Sequence, residues 1–290
     1  MERFLSCHVA HPMNASVPPV SLISASSAIA PRQHRIDGIE LEIVQIPATR
    51  DGLPTLVFLH EALGSIPQWR DFPANVCARS GCAGLVFSRY GLGQSTPLTS
   101  TPRPTDYLEN EGWNSLPALL RDLDIRRPYL IGHSDGASIA LLYAARNPVI
   151  GLTAMAPHVR VEEVTLEGVR TAEADRERLV TALGKYHRDA ARTFDGWSQT
   201  WASAEFRDWN IQAAMSGIAA PTLLIQGEND QYGTMEQLDW ITDGIASGAA
   251  KPPVRRVELA NVGHVPWREA ADTVLDEIAA HIRMCTALPG

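Results

Sequence analysis

The chain has 290 residues, 45% of them hydrophobic and 20% charged, with a formal net charge of −8. That composition supplies one large core, and the negative sign argues against a nucleic-acid partner. No apolar run reaches the length of a bilayer-spanning helix, so a membrane role is not expected.

The expected partner is a small-molecule substrate, and the sequence leaves room for a homo-oligomer. Cys7, Cys77, Cys82 and Cys285 form no CxxC pair and no zinc-ligand spacing. They suggest neither a disulfide framework nor a metal site, and scattered thiols suit a reducing cytoplasm.

Residues 1–33 read as a loosely ordered N-terminal extension. "PPVSLISASSAIAP" is weakly apolar, but Glu2 and Arg3 leave little positive charge ahead of it and prolines interrupt it. An export signal is therefore the weaker reading. Next, "GIELEIVQI" (38–46) alternates as an outer antiparallel strand does. Continuous apolar runs follow at 53–60, 83–90, 127–134, 150–157 and 220–227, with a more charged run at 253–260. Such runs fit strands buried on both faces of a parallel sheet, the last of them at an edge.

Helical spacing lies between them in "SIPQWRDFPANVCARSG" and "DGASIALLYAARNP", and again in the C-terminal "ADTVLDEIAAHIRM". Strands alternating with helices give an α/β fold, a mostly parallel sheet covered on both faces. Residues 159–217 break the alternation with charged, helical sequence. They are expected to form a helical cap over a core made of 34–158 and 218–290, because open α/β sheets bind ligands at strand C-termini.

"GHSDG" (132–136) fits G-x-S-x-G between an apolar strand and a helix. Small residues are needed on either side because the nucleophile would sit in a strained turn against neighbouring backbone. Ser134 is the candidate nucleophile, at a helix N-terminus that favours developing negative charge. A serine needs a base, and the base needs an orienting acid. "NVGHVPWRE" supplies His264 and "LLIQGENDQYG" supplies Asp230, with Glu228 as its competitor. Two backbone N–H groups would complete an oxyanion hole, one from Asp135 and one from Ala62 in "HEALGS".

These motifs, together with "SRYGLGQS" (88–95), resemble the α/β-hydrolase superfamily over residues 36–283. The resemblance implies a Ser–Asp–His hydrolase with a helical cap and no organic cofactor. Three positions depart from the usual pattern. Glu61 stands where glycine is common; it is expected to brace the loop, for example by pairing with Arg89, with pointing into the pocket to repel anionic substrates as the alternative. Ser88 replaces a frequent aspartate in a structural loop. Asp135 replaces a bulky apolar residue, and helix capping, a cation partner and pocket lining all stay open for its side chain.

Candidate pocket residues are Glu61, Trp69, His158, Trp197, Trp201, Tyr232 and Trp267, with Trp209 beside them. Trp197 and Trp201 are spaced to share one helix face. The leading expectation is cleavage of a small or medium carboxylic ester, lactone or thioester through an acyl-enzyme. Carbon–carbon bond hydrolysis of ring-cleavage products would use the same residues but needs a cationic anchor, for which Arg160, Arg192 and Arg268 are available. A cofactor-free perhydrolase and a non-enzymatic ligand receptor complete the alternatives.

Overall fold

The computed structural model describes residues 30–287. Eight strands form one sheet: β1 (Arg32–Ile36), β2 (Ile39–Ile46), β3 (Thr55–Leu59), β4 (Ala83–Phe87), β5 (Tyr129–His133), β6 (Gly151–Met155), β7 (Thr222–Gly227) and β8 (Val254–Leu259). Their order is β1-β2-β4-β3-β5-β6-β7-β8, with β1 and β2 antiparallel and the pairings from β4 through β8 parallel.

The central strands are apolar throughout because both of their faces are covered. Along β3, Val57 and Leu59 enter one core cluster while Leu56 and Phe58 enter the other. That two-residue alternation is what a pleated strand imposes.

Strand β1 begins within the stretch expected to be an extension. Its polar "RQHRI" escapes an apolar pattern, yet it pairs with β2 through a two-residue Asp37–Gly38 turn. Both turn residues have positive φ (47° and 81°), the conformation that suits a tight hairpin. Residues 1–29, including Cys7 and most of that proposed extension, lie outside the described residues.

Helix α1 (Phe72–Ser80) follows β3, α2 (Tyr107–Asn110) and α3 (Leu116–Asp122) follow β4, and α4 (Asp135–Ala144) follows β5. A widened turn at Glu111–Ser115 joins α2 to α3. Residues 159–217 hold α5 (Glu163–Ala174), α6 (Arg176–Leu183) and α7 (Ala190–Trp201). The two feet of this segment are tied together: Arg160 bridges Asn210, and the Ile211 N–H donates to the Val159 carbonyl at 2.9 Å. Phe194, Trp197 and Trp201 of α7 join the same core cluster as α4, so the segment's apolar face continues the main core. The chain ends with α8 (Glu236–Ser247), α9 (Pro266–Glu269) and α10 (Ala271–Ala287). Among the described residues no helix is long and apolar enough to cross a membrane.

Candidate active site

Ser134 sits between β5 and α4 at φ 53°, ψ −122°. This left-handed backbone is unfavourable for a side-chain-bearing residue and persists only where surroundings fix it. They do so here: its N–H donates to the Met155 carbonyl (2.9 Å) and its carbonyl accepts from Ala137 N–H (2.8 Å). A Cβ on Gly132 would press into the backbone of Gly136 and Ala137, and one on Gly136 into the carbonyl of Leu59. The two glycines of the pentapeptide therefore let β5, β3 and α4 approach closely enough to hold the turn.

His264 occupies the loop between β8 and α9. The Glu269 carboxylate accepts the N–H groups on either side of it, Gly263 at 2.8 Å and Val265 at 3.0 Å. His133 Nε2 donates to the His264 carbonyl at 2.6 Å. The ring thus held places Nε2 2.9 Å from the Ser134 hydroxyl and Nδ1 2.8 Å from both Asp230 oxygens.

Asp230 in turn accepts the Tyr232 N–H (2.8 Å) and the Gln226 side-chain amide (2.9 Å). Burial pushes its carboxyl up, but the His264 hydrogen bond and charge outweigh that and leave it below its usual value. Glu228, the competing acid, is exposed. Ser134, Asp230 and His264 are 6%, 8% and 8% exposed, so the arrangement is nearly closed to water. With Nδ1–H committed to a carboxylate, the Nε2 lone pair of His264 can accept the Ser134 proton.

The Ala62 and Asp135 N–H groups have no protein acceptor among the described residues. Asp135 leads α4, where the first N–H groups lack intrahelical partners and the helix dipole favours negative charge. Its side chain is buried, accepts the Tyr107 hydroxyl at 2.6 Å, and lies 3.9 Å from Arg89 Nη2. Of the three roles left open for Asp135, the cation partner is the one seen. Burial raises its carboxyl, with Arg89 pulling the other way.

Glu61 does not form its expected side-chain pair with Arg89. Arg89 Nη2 reaches the Glu61 carbonyl instead (3.0 Å), while its Nη1 pairs with Glu111 (2.9 Å). The Glu61 carboxylate faces His133 Nδ1 at 3.4 Å. Burial opposes its ionisation, and the neighbouring histidines pull its pKa the other way, below the usual carboxylate value. The Glu61 side chain thus lies beside His133 of β5, and the expected pair with Arg89 is not made.

The aromatic candidates divide. Tyr232 lies tilted 4.8 Å from the His264 ring, and Trp197 of α7 reaches Tyr232 at 6.3 Å. His158 lies 5.8 Å from His264 and 5.4 Å from Trp201. Its Nε2 donates to the Tyr232 carbonyl (3.1 Å), while Nδ1 is buried without a partner among the described residues. Trp209 backs Trp201 at 5.8 Å.

Trp69 and Trp267 are placed elsewhere. They meet at 5.0 Å in the core cluster on the opposite sheet face, where Trp267 donates to His133 Nδ1 at 3.3 Å. As large apolar rings on short helices against the sheet, they fill core volume and do not line the cleft. A cavity of about 520 Å³ lies beside the site, between the β1–β2 turn, Arg103 and Arg89, and none of Ser134, Asp230 or His264 lines it. Sequence reasoning missed His60, Tyr107, Glu111 and His133. Only His60 and His133 offered a signal, by flanking Glu61 and Ser134 inside recognised motifs.

A family model described as the alpha/beta hydrolase family matches residues 56–277. No curated protein matches the sequence. Among solved structures, the enol-lactonase from Burkholderia xenovorans LB400 is similar at a TM-score of 0.67 and 19% identity, covering 87% of this chain and 100% of that one. A thermophilic esterase from Thermogutta terrifontis is similar at 0.66 and 17%, covering 89% and 100%. Proline iminopeptidase from Mycobacterium smegmatis is similar at 0.64 and 18%, covering 89% and 99%. At such identities the likeness is one of fold, while the family match takes in Ser134, Asp230 and His264. The chain belongs to the alpha/beta hydrolase family.

Proposed function

We propose that this protein is a serine hydrolase that cleaves a small or medium carboxylic ester, lactone or thioester through an acyl-enzyme. The observation that carries the reading is the unbroken hydrogen-bonded chain from Ser134 through His264 to Asp230, at 2.9 and 2.8 Å, on a strained turn. His264 takes the Ser134 proton as the hydroxyl oxygen attacks the substrate carbonyl. The carbonyl oxygen then carries the negative charge, held by the Ala62 and Asp135 N–H groups. Collapse breaks the bond to the leaving group, which receives the proton from His264. Water, deprotonated by the same ring, releases the acid and restores Ser134.

The helices of 159–217 act as the cap, bringing Trp197 against Tyr232 and Trp201 against His158, beside His264, as an aromatic lining. This lining supports a compact, mostly apolar acyl group. Carbon–carbon bond hydrolysis finds less support. Arg160 stacks on Trp240 and bonds Gln212, and Arg192 holds the Leu98 carbonyl, so both carry other contacts.

Initial rates on p-nitrophenyl esters of two to eight carbons test the reading, with Ser134→Ala beside the parent chain. Hydrolysis that falls by about 10⁴-fold or more in the variant is expected. Equal rates in the two proteins would end the proposal. A parent chain that binds acyl compounds without turnover would favour the receptor.

A further inference from the structure

We propose that Arg89 and His60 clamp the Glu61–Ala62 peptide and so set the oxyanion hole, which makes them positioning residues for the hydrolysis proposed above. The inference rests on that reading of Ser134. The Glu61 carbonyl and the Ala62 N–H belong to one planar trans peptide, so they point in opposite directions. Whatever fixes the carbonyl therefore aims the N–H.

The Glu61 carbonyl accepts three hydrogen bonds: from His60 Nδ1 (2.8 Å), Arg89 Nη2 (3.0 Å) and the Gly64 N–H (3.0 Å). The third closes an ordinary turn. The other two come from buried side chains at 1% and 2% exposure, and one of them is a cation.

The His60 tautomer is determined by its other neighbour. Its Nε2 accepts the Arg89 main-chain N–H at 3.0 Å, which leaves the proton on Nδ1, facing the carbonyl. Burial, helped by the Arg89 charge, lowers His60 to about 3, so the neutral ring persists at working pH. A guanidinium bond to the carbonyl also polarises the peptide, which strengthens the Ala62 N–H as a donor. With the peptide turned over, the carbonyl would face the substrate oxygen and oppose its developing charge.

The same guanidinium reaches the second donor residue. Arg89 Nη2 lies 3.9 Å from the Asp135 carboxylate, and the Tyr107 hydroxyl bonds that carboxylate at 2.6 Å. Arg89 Nη1 is anchored by Glu111, which also pairs with Arg103. One buried cation thus braces the residues that offer both N–H groups. Removing its charge would leave Glu111 to Arg103 alone and Asp135 to the Tyr107 hydroxyl alone, so the informative change keeps the charge and loses the fork.

Arg89→Lys and His60→Phe are to be compared with the parent on p-nitrophenyl butanoate. A trifluoromethyl ketone, whose Ser134 adduct places an oxyanion in the hole, provides a second reading. Active sites are counted by fluorophosphonate titration. The clamp predicts that kcat per titrated site falls about 10- to 100-fold with little change in KM, and that ketone affinity falls in proportion. A merely structural role would lower the titrated fraction and leave kcat per site and ketone affinity unchanged. That result in both variants would overturn the clamp. Hydrolysis that survives Ser134→Ala would instead remove the reading on which the clamp depends.

Discussion

At the floor of the cleft, each functional group is fixed by backbone geometry and short polar bonds. Ser134 hangs on a strained turn, His264 is bracketed by Glu269, and Asp230 carries bonds from Tyr232 and Gln226. On the other side, the helices of 159–217 meet the site through rings, Trp197 against Tyr232 and Trp201 against His158, as well as through polar bonds such as Thr165 Oγ1 to the Tyr232 carbonyl at 2.6 Å. Polar bonds of fixed length tolerate almost no displacement, whereas ring contacts tolerate repacking. On the proposed function, the floor sets whether chemistry occurs and the proposed cap sets what fits beneath it.

Substitutions on the two sides should separate these roles. The largest effect belongs to the floor. Asp230→Asn keeps the shape but no longer holds the Nδ1–H tautomer of His264, and kcat should fall by about 10⁴-fold with KM nearly unchanged. A loss smaller than about tenfold would place the orienting acid elsewhere. On the other side, Trp197→Ala should raise KM for butanoate esters several-fold and shift preference toward longer acyl chains, with kcat held within about threefold. Measured across the same ester series, an unchanged chain-length profile would take Trp197 out of the pocket.

Acid stability gives a third, smaller test, away from the cleft. His281 of α10 is buried against Tyr129, whose hydroxyl meets its Nδ1 at 2.6 Å, and burial lowers its pKa from 6.5 to about 4. His60 is lowered likewise, to about 3. The folded chain refuses protons that the unfolded chain accepts below pH 6.5. The stabilisation is complete above that pH and is lost as pH falls through the folded values. Each site contributes a slope of up to about 1.4 kcal/mol per pH unit. His281→Leu should remove about one proton from that slope between pH 6.5 and 4, with ester hydrolysis unaffected. Urea midpoints at several pH values would show it, and an unchanged slope would mean that the histidine is not held neutral.

The central strands could be read from sequence because burial on both faces leaves continuous apolar runs. Ser134 and Asp230 could be placed because each follows such a run, and His264 because it follows the more charged edge run at 253–260. Strand β1 could not: "RQHRI" is half-exposed at the sheet edge, and only its pairing with β2 makes it a strand. The helices at 107–122 went unread, their repeat broken by the widened turn at Glu111–Ser115. The Arg89 cluster was hidden for another reason. It joins His60, Glu111 and Asp135 from separate loops and helices, and no periodicity records which carboxylate a buried guanidinium will choose. Aromatic residues raised the same difficulty. Trp69 and Trp267 resemble Trp197 in sequence context, yet they fill the core on the far face.

The most direct test of the account is the site of covalent labelling. The chain would be treated with a fluorophosphonate, digested, and mapped by mass spectrometry. A single adduct on Ser134 is expected, absent from Ser134→Ala and formed far more slowly in Asp230→Asn. An adduct on another residue, or labelling that persists at the parent rate in Ser134→Ala, would contradict it.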